Sequence, residues 1–349
     1  MLHLDSDYMA GACPEVMAAL TATNMERSTG YGTDDYCKAA RERILDACFP
    51  EGGRMRADAR VYFLVGGTQT NAIVIAGLLR PHEGVLAADT GHIAVHESGA
   101  IEATGHKVIT LPATDGKINA GQIAACIAGF KADPSKDHTV APGMVYLSQP
   151  TELGTLYSLR ELTAISAVCR DAGIPLFVDG ARLAYALAAD TNDVTLTDLA
   201  RLADVFYIGG TKCGALMGEA VVVAEPSLLR HFTPLIKQRG ALLAKGRLLG
   251  VQFGTLFTDG LYERLGREAD RLAGVLAEAL RQHGYREVVA QVTNQIFFEI
   301  PNDDLPALAK VASFEEWGAP GPHYTVVRFV TDWALTEADL KALLDYLKG

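Results

Sequence analysis

Leu176-Phe177-Val178-Asp179-Gly180-Ala181-Arg182 and Tyr207-Ile208-Gly209-Gly210-Thr211-Lys212 are two apolar runs that each break off at a charged residue. A strand buried on both faces of a parallel sheet reads as such a run, and it delivers the residues that follow at the sheet's carboxyl edge. One run delivers an acid, the next a lysine. Neighbouring segments repeat the pattern, with candidate strands at Val61–Val65, Gly84–Ala88, Lys107–Leu111, Met144–Leu147, Pro175–Val178, Asp204–Ile208 and Glu219–Val223. Helical patterns fall between most of them, as at Asn71–Leu79 and Ser158–Ala172. Strand and helix in alternation predict an α/β domain with a mostly parallel seven-stranded sheet covered on both faces.

After Leu249 the pattern changes. A long amphipathic helix from about Leu261 to His283 precedes strand-like Gln295–Glu299 and Val326–Thr331 and a closing helix over Thr336–Leu347. The expected division is a large domain over residues 1–245, beginning with an active-site segment, and a smaller α+β domain over residues 246–349. No proline- or serine-rich linker marks the boundary.

The chain has 349 residues, 49% hydrophobic and 21% charged, with a net charge of −11. That balance disfavours nucleic acid as a partner. No apolar run approaches the roughly 20 residues needed to cross a bilayer. The first residues carry acids where a signal peptide carries lysines. Six cysteines, at 13, 37, 48, 126, 169 and 213, form no CxxC pair and read as reduced thiols. A cytoplasmic location is expected.

Several motifs carry chemistry. Gly66-Gly67-Thr68-Gln69-Thr70-Asn71 follows a strand and opens a helix, so it serves either as an ordinary N-cap or as a phosphate cradle. Asp179 either pairs structurally with Arg182 or meets a cationic ligand, because an acid ending a buried strand needs a cation or strong donors. Lys212 sits in a glycine-rich turn where partial burial would lower its pKa and favour attack on a carbonyl, and Thr211 beside it is a phosphate donor candidate. A lysine for a Schiff base and a carboxylate for a pyridine nitrogen are what pyridoxal 5'-phosphate requires. His92 would cover one face of its ring. His92, His96 and Glu97 are too few for a metal site, and no metal is expected.

In this order the motifs resemble the threonine aldolase and β-eliminating lyase group of fold-type-I pyridoxal-phosphate enzymes, over almost the whole chain. The matching segments are Leu4-Asp5-Ser6-Asp7, Ser28-Thr29-Gly30-Tyr31-Gly32, Gly67-Thr68-Gln69-Thr70-Asn71, Gly91-His92-Ile93 with Glu97-Ser98-Gly99, Asp179-Gly180-Ala181-Arg182-Leu183 and Val327-Arg328-Phe329-Val330-Thr331. The resemblance implies Lys212, His92 and Asp179 as catalytic residues. It implies Gly67, Thr68, Arg182 and Thr211 as further cofactor contacts, and Ser6, Tyr31, Arg182 and Arg328 as substrate contacts. It further implies a homodimer or homotetramer with sites at the interface, to which Lys237-Gln238-Arg239 or Lys245-Gly246-Arg247 are candidate contributors.

The implied reaction is cleavage of the Cα–Cβ bond of L-threonine, L-allo-threonine or a related β-hydroxy-α-amino acid to glycine and an aldehyde. One departure stands out. Where many threonine aldolases carry Glu-Asn-Thr-His-Asn, this chain reads Leu147-Ser148-Gln149-Pro150-Thr151-Glu152-Leu153-Gly154. The base for the hydroxyl proton must then be His92, Glu97, His96 or a water. The same departure motivates a rival reading, β-elimination to a keto acid and ammonia. A third reading is an amino-acid-binding homologue without turnover.

Overall fold

The structure, a computed structural model, describes residues 1–348. Seven strands build the principal sheet in the spatial order Arg60–Leu64, Glu219–Val223, Val205–Gly209, Leu176–Asp179, Ala141–Ser148, Glu83–Ala88 and Val108–Leu111. Glu219–Val223 runs antiparallel to both of its neighbours, and the remaining pairings are parallel. Along Met144-Val145-Tyr146-Leu147 successive side chains enter opposite apolar clusters, so both faces are buried. This two-sided burial is why the strands read as continuous apolar runs rather than as alternating ones.

Leu176–Asp179 is the central strand, and Asp179 is its last residue, paired in register with Ser148. Past it the chain must pass directly over the neighbouring strand end, where the Gly209 N–H donates to the Gly180 carbonyl at 2.9 Å. A Cβ on Gly180 would lie 2.0 Å from the Tyr207 carbonyl oxygen, and one on Gly209 2.1 Å from that of Ala181. Only glycine at both positions lets the acid-bearing and lysine-bearing turns approach so closely.

A four-stranded antiparallel sheet, ordered Glu315–Glu316, Tyr324–Val330, Gln295–Pro301 and Arg286–Val289, forms the smaller unit. Its apolar side packs on Leu272, Leu276 and Leu280 of the helix Leu261–His283 and on Leu340 and Leu343 of the closing helix Glu337–Leu347. The apolar clusters do not break at residue 245. Helix Arg247–Leu256 contributes Phe253 and Leu256 to the large core, and Leu261, Tyr262 and Ala269 follow them there. Leu2–His3 pairs with Ala312–Ser313, and Leu4 is buried in the small core. Along the helix Leu261–His283 the buried side chains pass from the large core at Ala269 to the small core at Leu272, and Leu4 lies with the small core. A short strand and a lone leucine carry too little pattern to announce a partner 310 residues away.

Overpacking at the strand crossing should be felt globally. Gly180→Ala is expected to lower the unfolding free energy by about 2 kcal/mol or more, read as a shifted denaturation midpoint. An unchanged midpoint would show that the crossing has room to relax.

Candidate active site

The carboxyl edge of the large sheet gathers the charged residues that the strands deliver. Asp179 is buried and accepts hydrogen bonds from Tyr146 Oη at 2.6 Å, Asn71 Nδ2 at 3.0 Å and the Ala181 N–H at 3.0 Å, with the Tyr207 phenol and Lys212 also near it. Its carboxylate retains lone-pair capacity for one further donor. Lys212 lies in the turn after Val205–Gly209, its Nζ 6.0 Å from the Tyr8 ring centre. Burial, reinforced by the Arg182 guanidinium, lowers the Lys212 pKa against the opposing pull of Asp7, Asp179 and Glu219. A lysine so placed is more often an uncharged nucleophile than a solvated one.

Helix Gly67–Leu78 opens on Gly66 without any side-chain cap. The N–H groups of Gly67, Thr68 and Gln69 therefore point out of the first turn with no acceptor from within the helix, an anion site by geometry. A Cβ at Gly67 would come within 3.1 Å of Tyr207 Oη, so this floor is kept low by glycine. At the other end of the same helix turn, the buried Oδ1 of Asn71 has no partner among the described residues. An uncapped helix start, a lysine held toward its neutral form and a buried carboxylate with an open lone pair together fit pyridoxal 5'-phosphate.

His92 begins the short helix His92–Val95. Its Nδ1 is 2.7 Å from Oε1 of the fully buried Glu97 side chain, which also accepts from Asn71 Nδ2 at 2.7 Å. The His92 backbone N–H donates to Glu152 at 2.8 Å. Asn71 therefore ties the His92 support to Asp179 directly. His96 is exposed, its ring 5.7 Å from that of His92 and 5.5 Å from that of Trp317.

Two arginines enter from opposite sides. Arg182 makes a bidentate pair with Asp7, at 2.6 and 3.0 Å, and Asn294 Nδ2 donates to the same carboxylate at 2.9 Å. Burial alone would raise the Asp7 carboxyl, but Arg182 and Lys212 hold it below its ordinary value. Arg328 bonds Glu315, its cross-strand neighbour, and Gln295 Oε1 at 3.1 Å, with its guanidinium 4.9 Å from the Trp317 ring centre. Ser6 is buried between Asp5, whose carbonyl accepts from Arg328 at 3.4 Å, and Asp7, which holds Arg182.

Asp179, Arg182, Lys212, His92, Ser6 and Arg328 are thus linked through shared neighbours, and Gly67 and Thr68 open the helix that carries Asn71. Two expected residues stand differently. The single hydroxyl proton of Thr211 is donated to Glu219 at 2.9 Å while its oxygen accepts from the Gly218 N–H at 3.0 Å. Tyr31 is half exposed with a φ of 60°, under Lys237 Nζ at 4.6 Å. It lines a cleft of about 560 Å³ with Arg41, Arg60 and Phe63, whose walls include neither Lys212 nor Asp179.

Sequence reasoning passed over Glu219, Glu152 and Glu315. Glu219 starts an antiparallel strand, which puts an amino-terminal residue at the edge where parallel strands end. A charge opening the run Glu219-Ala220-Val221-Val222-Val223 was the available signal. Burial pushes this carboxyl up to about 8, with Lys212 pulling the other way.

The architecture, with its large mostly parallel sheet and small antiparallel one, is that of the fold-type-I pyridoxal-phosphate enzymes. It overlays on a solved aspartate aminotransferase from Thermus thermophilus with a TM-score of 0.71 at 15% identity, covering 100% of this chain and 91% of that one, a likeness of fold alone. The family model described as Beta-eliminating lyase matches residues 3–302, and the chain belongs to that family. A low specificity L-threonine aldolase from Pseudomonas sp. (strain NCIMB 10558) is 30% identical over 347 residues, covering 97% of this chain and 94% of the relative. The solved structure of Leishmania major threonine aldolase superposes with a TM-score of 0.94 at 40% identity, over 100% of this chain and 99% of that one.

The buried Asp7–Arg182 pair ties the amino-terminal segment to the large domain. Asp7→Asn leaves Arg182 without its counter-charge and is expected to cost about 3 kcal/mol or more. The depressed Asp7 pKa gives a sign. Its stabilisation is complete above the unfolded carboxyl value of about 3.9 and is lost as pH falls through the lower folded value. The variant's acid-unfolding profile should therefore be flatter than the wild type's in that window; parallel profiles would contradict the assignment.

Proposed function

We propose that this chain binds pyridoxal 5'-phosphate and cleaves the Cα–Cβ bond of L-threonine, L-allo-threonine or a related β-hydroxy-α-amino acid, giving glycine and an aldehyde. The observation that carries the reading is that one edge of the sheet gathers Asp179, linked through Asn71 and Glu97 to His92, and Lys212, which feels both Asp179 and Arg182, in a chain whose relatives over nearly its full length are threonine aldolases. When bound, the cofactor supplies an electron sink for the bond that stands perpendicular to its ring.

The chain's own residues then divide the work. Lys212, held toward its neutral form, provides the amine that attaches the cofactor. Asp179, already oriented by Tyr146, Asn71 and the Ala181 N–H, would meet the ring nitrogen. Gly67 and Thr68 offer backbone N–H groups to the phosphate. Ser6, Arg182 and Arg328 hold the substrate carboxylate, and a carboxylate fixed by fork-shaped donors sets the rotation about Cα, hence which bond lies perpendicular to the ring. Glu97 engages Nδ1 of His92, which leaves Nε2 as the nitrogen that receives the hydroxyl proton. Glu97 itself is fully buried and already accepts two hydrogen bonds, so it acts behind His92 rather than on substrate.

Tyr31 can join such a site only from a second copy, and we read the chain as a homo-oligomer on that ground. β-Elimination remains the rival, since it needs the same cofactor contacts and no hydroxyl base.

Mixing cofactor-loaded protein with each threonine separately and identifying products by mass spectrometry tests the reaction. Glycine with acetaldehyde is expected; 2-oxobutyrate with ammonia would move the chain to elimination. Glu315 gives a second, directional test. Its side chain is 43% exposed and so displaceable, and it competes with substrate for Arg328. Glu315→Gln should lower KM about two- to fivefold, the worth of a partly exposed ion pair, with kcat little changed. A raised KM would instead make Glu315 part of the binding surface.

A further inference from the structure

The segment that replaces the family's histidine-bearing stretch brings a buried acid into the site. Glu152 is 8% exposed, and its Oε1 lies 2.6 Å from Ser148 Oγ. Ser148 Oγ is 3.2 Å from Tyr146 Oη, which donates to Asp179 at 2.6 Å. The same Oε1 also accepts the His92 backbone N–H at 2.8 Å, so as an acid hydroxyl it would donate to Ser148 while accepting from His92. Since His92 reaches Asp179 a second way, through Glu97 and Asn71, the two run into a closed ring of hydrogen-bonded groups.

Counting hydrogens in this ring decides the state of Glu152. The three contacts Glu152–Ser148, Ser148–Tyr146 and Tyr146–Asp179 need three hydrogens. Ser148 and Tyr146 supply one each. Burial and the Asp179 charge push the Tyr146 phenol well above its ordinary value, so it keeps its proton and remains a donor. If Glu152 were ionised, Ser148 would give its proton to Glu152 and the Ser148–Tyr146 contact would hold none. With Glu152 as an acid, each hydroxyl receives one hydrogen bond and gives one, all running toward Asp179.

Counting charges gives the same answer. The ring holds three buried carboxyls. In the proposed function Asp179 faces the ring nitrogen of the cofactor, and Glu97 faces the His92 imidazole. Among the described residues Glu152 has no cation: its neighbours are Ser148, Tyr146, the Tyr157 phenol and two backbone N–H groups, its own and that of His92, with Asp179 close enough to repel it. A buried carboxyl without a cation is favoured as the neutral acid. Burial accordingly raises its pKa.

We propose that Glu152 is held as a neutral carboxylic acid and is a positioning residue, anchoring the His92 backbone while directing the Ser148–Tyr146 hydrogen bonds onto Asp179. It touches neither substrate nor cofactor. Its role is to keep two residues of the site in register without adding a second negative charge beside Asp179. The inference rests on the proposed function for what Asp179 and His92 do.

Infrared difference spectra of wild-type and Glu152→Gln holoenzyme at neutral pH read the protonation state directly. The expected result is that the substitution removes the carbonyl stretch of a protonated carboxylic acid; removal of an ionised carboxylate band would overturn the proposal. Carbon-13 resonances of carboxyl-labelled glutamate in the unsubstituted holoenzyme give the same readout if the variant fails to fold, and absence of a protonated glutamic acid there would equally overturn it. Positioning is tested by rescue. Glu152→Ala should weaken cofactor affinity about tenfold, as loss of a supporting hydrogen-bonded group does, while Glu152→Gln, whose amide keeps one of the two contacts made by Oε1, should restore part of it. Equal losses in the two variants would contradict the neutral-acid role. Failure of the functional reading looks different: the wild-type protein would then form no visible cofactor band at all.

Discussion

A carboxylate at the end of a strand buried on both faces must find partners, and the neighbourhood of Asp179 is built to provide them. The central position of Leu176–Asp179 in the sheet brings Tyr146 from the adjacent strand and Asn71 from the helix Gly67–Leu78 within hydrogen-bonding distance. The Asp179 charge in turn helps oppose the burial that lowers the Lys212 pKa. Glycines at 180 and 209 follow from the same demand, since the two turns must cross almost in contact. An uncompensated charge here would cost several kcal/mol, and each of these residues removes part of that cost.

The second organising feature is the pairing of the two arginines. Arg182 is locked by a bidentate, fully buried Asp7, which makes it part of the architecture joining the first residues to the large domain. Arg328 is held by Glu315, a partner that remains within reach of water. One arginine thus stands fixed and the other is exchangeable, so a carboxylate arriving at this edge meets a rigid wall on one side and a displaceable contact on the other. Thr293, two residues before the strand Gln295–Pro301, and Gln295, its first residue, bond the Thr151–Gly154 segment, so the loop that carries Glu152 is held by the small unit. That loop and Arg328 are coupled through Gln295, the first residue of the strand Gln295–Pro301.

Much of this was legible in the chain itself because buried parallel strands write themselves as apolar runs. The expected strand Pro175–Val178 and the observed Leu176–Asp179 differ only at the ends, and the helix Leu261–His283 is found where its apolar stripe places it. The residues that escaped did so for physical reasons. Glu219 lies at the functional edge only because its strand is reversed, and strand direction is not written in an apolar run. Glu152 and Ser148 are brought together by a tight loop whose composition announces a turn but not what it surrounds. Leu2–His3 joins a distant strand through two residues, below the length at which alternation carries information. Trp317 and Glu315 come from the small sheet and meet Arg328 through tertiary packing alone.

The proposed chemistry depends most directly on Lys212 being the amine that holds the cofactor beside Asp179. Incubating the protein with pyridoxal 5'-phosphate, reducing with borohydride and mapping the modified peptide by mass spectrometry measures this. A single pyridoxyl adduct on Lys212, with no visible cofactor band in Lys212→Ala, is the result the account predicts. An adduct on another lysine, or a visible and reducible band that survives Lys212→Ala, would contradict it.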